Sequence, residues 1–361
     1  MTYKQAIHRT NQQGGSQSFW QGRSARAGVF KFDTDLNILW WGEPLGLQGL
    51  PTAASAVCAT STHIATRTPY LGAYSKSTGA VDWDIETQHG YLHASGEHFY
   101  GTAANAVWKY DSDGSTEWTQ STPLTTAGSH KAVRALGAYG NYLYVLYVFI
   151  NFGYPNLRKR DLYKYNISDG STYATKLASY EFNDSGISGA GIVANGTYIW
   201  NAGIASTTVF ADHGRPMLSQ FDDDATMARN WNYKPTTTTT NTRPFVVEDS
   251  GNAYFAWGIG SSEGYVERVD STGSVDWTYD IGAAPQGLTT DGAHVFVSVF
   301  RNSVWDGAGG AANFATLIKL DMNGNYVAHK DMGDGIVGQY GQLFMDGSYF
   351  YYAPVTTLAD F

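Results

Sequence analysis

The sequence predicts an all-β chain folded as a seven-bladed β-propeller of four-stranded antiparallel blades. Three observations predict this. One strand pattern recurs seven times and ends in Asp, Asn or Ser before a short polar turn, a Trp follows five of these turns, and hairpin signals precede most copies. Repeats of this kind indicate an array whose units share one core.

The repeated strand defines the length of each unit. Its copies are residues 29–33, 72–75, 107–111, 162–166, 218–222, 266–270 and 317–321, and the closing tryptophans are Trp40, Trp83, Trp118, Trp231 and Trp277. The shortest spacing separates Ser75 from Asp111, and the longest separates Asn166 from Asp222. These spacings lie near the roughly 40–50 residues of propeller blades.

Hairpin signals precede most copies of the repeated strand. Asn195-Gly196, Asp291-Gly292 and Asp346-Gly347 each stand between apolar alternations. Such dipeptides are strong short-range signals for a β-hairpin. Each unit therefore contains two hairpins, and we name its four strands A, B, C and D in chain order.

The two ends of the chain predict how the ring closes. The first copy has strands C and D but no hairpin before it, and the hairpin at 341–352 supplies strands A and B with nothing after it. Together they predict a composite blade, which removes the open edge of the ring. We expect residues 26–361 to form this single domain. Residues 1–25 form a polar N-terminal arm, a composition typical of disorder unless the ring or a partner holds it.

Composition and charge exclude several functional classes. Hydrophobic residues make up 43% of the 361 residues, enough for a sizeable core, and the net charge is −9. A nucleic-acid partner is therefore not expected, because phosphate binding needs a basic surface. The single cysteine, Cys58, excludes an internal disulfide. The N-terminus lacks the apolar region of a signal peptide, and no apolar run is long enough for a membrane-spanning helix.

The long links between strands predict a contact surface. They are residues 151–160, 205–216, 301–314, 121–131, 183–189 and 234–243, and all join strand ends on one face of the ring. Elaborated loops on one face indicate a binding surface. The basic, aromatic link at 151–160 could grip carboxylates or a glycan, and it could equally be a solvated cluster at a strand start. The candidate partner-binding residues are Tyr154, Arg158, Lys159, Arg160 and Trp305.

The turn motif resembles that of a known superfamily. Asp111, Gly114 and Trp118 share their spacing with Asp270, Gly273 and Trp277, and residues 75–83 are similar. This pattern resembles the quinoprotein-like (PQQ-type) β-propellers over nearly the whole chain from about residue 26. The interpretation for these residues is structural: the Asp caps the turn, the Gly takes positive φ and the Trp packs between blades. The same interpretation covers Asp33, Asp321 and the remaining closing tryptophans.

The resemblance implies a non-catalytic member. Catalytic relatives are larger, secreted and hold a quinone with Ca²⁺, often beside a vicinal disulfide, whereas this chain has one cysteine and no signal peptide. The superfamily also includes periplasmic outer-membrane assembly scaffolds, which carry a lipoprotein signal that is absent here. In composition and architecture the chain is also similar to propellers in the tails of bacteriophages, an analogy only.

No catalytic, cofactor or metal motif meets its structural requirements. Residues 333–338 match a nucleotide fingerprint, but no helix is predicted after them. Residues 33–37 and 111–114 mimic the start of a Ca²⁺ loop without its twelfth-position Glu. His89, His93 and His98 lie close in sequence, with no obvious third ligand after His89 and His93. Residues 222–224 are an exposed acidic turn, and no single pair among 32 acidic residues can be selected for glycoside hydrolysis.

We therefore expect a non-enzymatic structural or docking propeller in a larger assembly, with a bacteriophage tail or virion as the leading context. Its location would be the virion if phage-encoded, and otherwise the cytoplasm. Its partners would be protein subunits that contact the arm and the elaborated face. The alternative is a carbohydrate-binding or glycan-cleaving propeller, with Tyr and Trp stacking on sugar. A quinoprotein enzyme is third. We expect no cofactor and no metal.

Overall fold

The chain folds as seven four-stranded antiparallel sheets, which confirms the predicted seven-bladed propeller. The computed structural model describes residues 29–42, 57–68, 70–85, 90–103, 106–123, 132–150, 158–176, 191–205, 215–235, 244–259, 263–301, 314–331 and 342–353. The A strands of neighbouring blades contact one another around the ring. The predicted arm at 1–25 lies outside the described residues.

Six blades are continuous in sequence. Blade 1 contains β3 (Val57–Ala59), β4 (His63–Thr68), β5 (Tyr70–Ser75) and β6 (Val81–Ile85). Blade 2 contains β7 (Leu92–Ser95), β8 (His98–Ala103), β9 (Ala106–Tyr110) and β10 (Thr116–Ser121). Blade 3 contains β11 (Ala132–Tyr139), β12 (Tyr142–Ile150), β13 (Arg158–Asn166) and β14 (Thr172–Lys176).

The next three blades repeat this order of strands A to D. Blade 4 contains β15 (Gly191–Ala194), β16 (Tyr198–Ala205), β17 (Arg215–Asp222) and β18 (Arg229–Tyr233). Blade 5 contains β19 (Phe245–Asp249), β20 (Asn252–Ile259), β21 (Glu263–Val269) and β22 (Val275–Asp280). Blade 6 contains β23 (Pro285–Thr290), β24 (His294–Arg301), β25 (Phe314–Asp321) and β26 (Tyr326–Asp331).

Blade 7 is the predicted composite of the two chain ends. Strands β27 (Gln342–Asp346) and β28 (Tyr349–Ala353) pair with β1 (Val29–Asp33) and β2 (Ile38–Gly42) in the order β2-β1-β28-β27. Strand β1 runs antiparallel to β28, with Phe32 opposite Phe350. Their rings stack with centroids 4.8 Å apart. The first and last strands thus close the ring by a backbone ladder and a shared aromatic core.

The two faces of the ring differ in the length of their connections. A–B and C–D turns form the turn face, where the longest connection is residues 223–228. B–C and D–A links join strand ends on the opposite loop face, and they include residues 177–190 and 302–313. The strand order therefore places the long links on one face, as the sequence predicts.

On the turn face, aspartates cap the C–D turns. Asp33 Oδ1 accepts the amides of Asp35 (3.0 Å) and Asn37 (2.8 Å). Asp270 and Asp321 repeat this arrangement, and hydrogen bonds from the turn hold the pKa of each carboxyl below its usual value. Asp111 Oδ1 accepts the amide of Ser112 at 2.7 Å. These short contacts fix each turn in one conformation.

At four junctions, one tryptophan joins a blade to the next. These tryptophans are Trp83, Trp118, Trp231 and Trp277, and each lies in strand D. Each indole Nε1–H donates to a carbonyl one residue beyond the capping position in the next blade's C–D turn. The acceptors are Ser112 (2.7 Å), Ile167 (2.9 Å), Ser271 (2.9 Å) and Met322 (3.1 Å). Each indole thus satisfies a turn carbonyl while it packs between blades.

Each of these indoles also lies against a glycine of the same turn. The glycines have positive φ, and a Cβ added there would come within 3.0 Å of the ring; they are Gly114, Gly170, Gly273 and Gly324. Only glycine meets both demands. At the junction of blades 7 and 1, Trp40 pairs with Lys31 in the register of the other four tryptophans. Gly79, in the C–D turn of blade 1, has a positive φ of 69° like the other glycines. The Trp40 side chain lies outside the described residues.

Two junctions use a different solution. Ala174 in blade 3 and Ala328 in blade 6 occupy the register of the tryptophans. The facing turns replace the glycine by Met227 (φ 44°) and Leu36 (φ 65°), whose side chains are buried. Met227 shares a cluster with Ala174, and Leu36 shares one with Ala328. The large side chain has therefore moved from strand D to the neighbouring turn.

A lysine supplies the missing hydrogen-bond donor at both exceptional junctions. Lys164 lies opposite Ala174, and Lys319 lies opposite Ala328. Their Nζ atoms donate to the carbonyls of Asp223 (3.3 Å) and Thr34 (2.7 Å). Each of these carbonyls lies one residue beyond the capping position of its turn, as do the carbonyls that accept from tryptophan at the other junctions. Every junction with described side chains thus keeps the bond to this carbonyl, by either indole or ammonium.

Candidate functional site

Of the predicted partner-binding residues, the structure describes Arg158, Lys159 and Arg160, and these by their backbone alone. Arg158, Lys159 and Arg160 are not a loop, because they form the first three residues of β13 and pair with the end of β12. The backbone of residues 158–160 is therefore strand and not part of the link, and the choice between a binding cluster and a solvated one stays open. Their side chains lie outside the described residues, as do Tyr154 and Trp305. Their role in binding stays a prediction.

Among the described residues, the loop-face half of blade 5 holds a cluster of aromatic rings around a carboxylate. Trp257 lies near the end of β20, and half-buried Tyr265 lies near the start of β21. Their ring centroids are 4.6 Å apart with an interplanar angle of 32°. Tyr233 reaches the same place from the end of β18 in blade 4. Aromatic faces of this kind can stack on an apolar or sugar surface.

Glu267 is the buried carboxylate of this cluster. Its Oε2 accepts the indole N–H of Trp257 at 2.9 Å, and its Oε1 accepts the hydroxyls of Tyr233 (3.1 Å) and Thr278 (3.3 Å). Burial raises the pKa of Glu267, and these three donors oppose the rise. Both oxygens are engaged, so the residue joins blades 4 and 5 and fixes the Trp257 ring.

Glu267 should give the protein a characteristic pH dependence. Its folded-state pKa lies above the ordinary value of 4.5. Between these two values the folded state binds more protons than the unfolded state, so stability falls as pH rises. Relative to Glu267→Gln, we expect the free energy of unfolding of the native chain to decrease from pH 4.5 towards neutrality. Urea denaturation across this range measures it, with Glu263→Gln, exposed on the same strand, as control. If the free energy of unfolding of the native chain, relative to Glu267→Gln, increased with pH instead, Glu267 would not have a raised pKa in the folded state.

The residues weighed for Ca²⁺, zinc or nucleotide binding are only partly described, and the described ones lie in blades 2 and 7. Asp33 and Asp111 cap turns, as above. His93 lies in β7, where burial lowers its pKa to about 4 and its ring faces Phe344 at 6.5 Å. His98 lies in β8 on the turn face. His89 and the glycine-rich residues 333–338 lie outside the described residues.

Sequence reasoning missed the cluster around Glu267. The sequence did contain one signal for this cluster, which is the position of Glu267 in the middle of a copy of the repeated strand C. That strand has a neighbouring strand on both sides in its sheet. A charged residue in the middle of such a strand is buried and needs donors nearby. The three donors come from β18, β20 and β22, whose proximity only the fold reveals.

Comparison with known proteins bears on the fold. No family model matches the chain, and no curated relative matches it. Solved structures do match, and one is BamB from Moraxella catarrhalis, at TM-score 0.50 and 14% identity over 92% of each chain. The two chains share the PQQ-like β-propeller fold. At this identity the likeness to BamB shows the fold alone.

Two further solved structures match with lower scores. The computationally designed Ika8 protein has TM-score 0.49 and 11% identity, covering 85% of this chain and 98% of its own. A protein of unknown function from Bacteroides caccae has TM-score 0.48 and 10% identity, covering 77% and 96%. In the part of the chain that the structure describes, no helix has the length and hydropathy to cross a membrane.

Proposed function

We propose that this chain is a non-enzymatic docking propeller in a larger protein assembly, of the kind found in the tail or virion of a bacteriophage. The observation that carries the proposal is the difference between the two faces. Short capped turns make one face, and the long links, including residues 177–190 and 302–313, all join strand ends on the other. Variation confined to one side of a rigid ring is typical of a contact surface.

The rigidity of the ring supports this role. Four indoles and two lysines bind six of the seven blades to the C–D turn of the next blade, and the composite blade closes the ring. A closed ring holds the strand ends that carry the long links in fixed relative positions. Binding would therefore not have to order the blades against one another, which lowers its entropic cost.

Native mass spectrometry on material from the natural source tests the proposal. We expect a complex of defined stoichiometry with other protein subunits. Replacing residues 302–313 by a short Gly-Ser link should abolish incorporation while the ring stays folded by circular dichroism. The matched control is the same Gly-Ser length inserted into the turn at residues 96–97 on the turn face, which should incorporate normally. Recovery of a 39.3 kDa monomer alone would overturn the proposal.

The N-terminal arm has a separate test. Deleting residues 1–25 should prevent incorporation and leave the thermal midpoint of the ring unchanged, since the blades close without these residues. Normal incorporation of the truncated chain would remove the arm from the proposal and leave the loop face in it.

A second candidate function is carbohydrate binding, with Tyr265 and Trp257 beside Glu267 as its specific observation. The half-buried Tyr265 ring would stack on the sugar, while the buried Trp257 and Glu267 hold it in place from beneath. A glycan array probed with the native chain and with Tyr265→Ala tests it. Tyr326→Ala is the control, since Tyr326 is exposed at the turn-face start of β26 in blade 6. An array without hits for the native chain would reject this function.

A further inference from the structure

Three side chains with metal-binding atoms meet on the turn face of blade 2. His98 is the first residue of β8, Asp111 follows β9, and Glu117 is the second residue of β10. They thus come from three adjacent strands of one sheet. One ligand atom from each lies within 4.8 Å of the other two.

The Nδ1 atom of His98 lies close to both carboxylates. This atom lies 3.3 Å from Glu117 Oε1 and 3.9 Å from Asp111 Oδ1. The Nδ1 atom is buried, yet it has no hydrogen-bond partner. A buried polar atom without a partner is uncommon and needs an explanation. A cation between the imidazole and the two carboxylates would provide one.

The separations suit a small divalent cation. Zinc bonds of about 2.0–2.1 Å to nitrogen and oxygen give ligand atoms about 3.3 Å apart in a tetrahedron. The Nδ1 to Oε1 separation already matches this value. Asp111 Oδ1, which also accepts the Ser112 amide, would need to approach His98 Nδ1 by roughly half an ångström, and its side chain is 44% exposed. The turn face leaves the fourth position open to water.

Lys109 sets the charge of the cluster. Its Nζ lies 2.5 Å from Glu117 Oε2, which leaves Oε1 directed towards His98. Two carboxylates and one ammonium give a net charge of about −1 before the cation binds. The lysine therefore positions the glutamate, and it also limits the affinity for a cation by repulsion.

The other blades show that this combination is specific to blade 2. In blade 1 the same three positions hold His63, Asp82 and Ser75. There both ring nitrogens are engaged, Nε2 with Asp82 (2.9 Å) and Nδ1 with Thr62 (2.8 Å). In blade 6, Val327 stands where Glu117 stands in blade 2. Among the described residues, only blade 2 brings together the three ligand types.

We propose that His98, Asp111 and Glu117 form a zinc site on the turn face, with a water molecule as fourth ligand. This site was not expected from sequence, which considered His98 only with His89 and His93. It is independent of the docking function, since it lies on the opposite face from the long links. Three protein ligands and an open position are the arrangement of zinc sites that bind an exogenous group.

Isothermal titration of chelator-treated protein with zinc chloride tests the site. We expect one zinc bound per chain. His98→Gln should abolish this binding, and Glu117→Gln should weaken it by roughly tenfold or more. The matched controls are His63→Gln and Asp82→Asn, the equivalent changes in blade 1, which should leave the titration unchanged. Circular dichroism confirms that each variant is folded.

Two results would overturn the zinc site. One is the absence of zinc binding by the native chain. The other is native binding in either His98→Gln or Glu117→Gln, because the ion would then be held elsewhere or by the imidazole alone. Cobalt substitution gives an independent readout, since four-coordinate Co²⁺ absorbs much more strongly in the visible range than the hydrated ion. That band should disappear in His98→Gln and persist in His63→Gln.

Discussion

Ala328→Trp should destabilise the ring strongly when made alone and much less when combined with Leu36→Gly. Ala328 occupies the register of the junction tryptophans, and buried Leu36 occupies the site of the facing glycine. The single tryptophan would meet Leu36 in a filled space, at a cost of about 1–3 kcal/mol or more. Leu36→Gly alone would leave a cavity and cost about 2–5 kcal/mol, partly offset because glycine accepts φ 65° without strain.

The double variant recreates the pairing of Trp277 with Gly324. Its loss of stability should therefore be clearly smaller than the sum of the single losses. Differential scanning calorimetry of the native chain, the two single variants and the double variant measures this coupling. Val327→Trp is the control, because Val327 is the exposed neighbour on the same strand and should change stability little. If the loss of stability in the double variant equalled the sum of the two single losses within about 0.5 kcal/mol, the large residue at Leu36 would not compensate for the small residue at Ala328.

Lys164→Met should be the most damaging change at the junction of blades 3 and 4. Lys164 Nζ lies 2.7 Å from Asp223 Oδ1, and the two side chains are 3% and 2% exposed. The expectation of an exposed acidic turn at 222–224 is therefore wrong for the Asp223 side chain. Tyr144 donates its hydroxyl to the same carboxylate, and the ammonium lies 4.1 Å from the centre of the Tyr142 ring. Removing the lysine leaves a buried carboxylate without its counter-charge. Breaking such a pair costs about 3–5 kcal/mol.

Arg268→Met is the matched control for this change, because Arg268 holds the same register in blade 5. Its Nε lies 3.3 Å from Asp276, and these side chains are 27% and 41% exposed. An exposed pair contributes about 0–1 kcal/mol. Adding Asp223→Leu to Lys164→Met should restore part of the stability, since no unpaired charge remains. Equal losses from Lys164→Met and Arg268→Met, measured by urea denaturation, would refute the importance of the buried pair.

The turn chemistry shows why so much of the fold could be predicted. Asp270, Gly273 and Trp277 lie within one hairpin, so their spacing is visible in a single stretch of sequence. Each of them has a local structural requirement: a cap, a positive φ or a strand position. Seven copies of such a unit leave few alternatives to a ring. The unmatched half-blades at the two ends then predicted the composite blade.

The exceptional junctions could not be predicted in this way. Leu36 and Ala328 lie at opposite ends of the sequence, and nothing in the local pattern relates a missing tryptophan to a leucine in another blade. The same holds for Lys319, whose ammonium reaches the carbonyl of Thr34. Compensation of this kind depends on packing between blades, which becomes visible only when the ring is closed.

The candidate sites also differ in whether the sequence could predict them. Sequence identified the loop face from link lengths, and the strand order bears out this placement of the links. It did not find Glu267 with its three donors, or the group of His98, Asp111 and Glu117. Each of these sets draws on at least three strands, and the register between strands decides which side chains meet.

The sequence by itself determined the number of blades, the turn caps and the closure of the ring, because these follow from residues adjacent in the chain or from a simple count of repeats. Only the tertiary structure decided how each blade is joined to the next and which polar groups are brought together. Junction contacts depend on volumes and hydrogen-bond donors from different repeats. Their fit is a property of the assembled ring and of no single repeat.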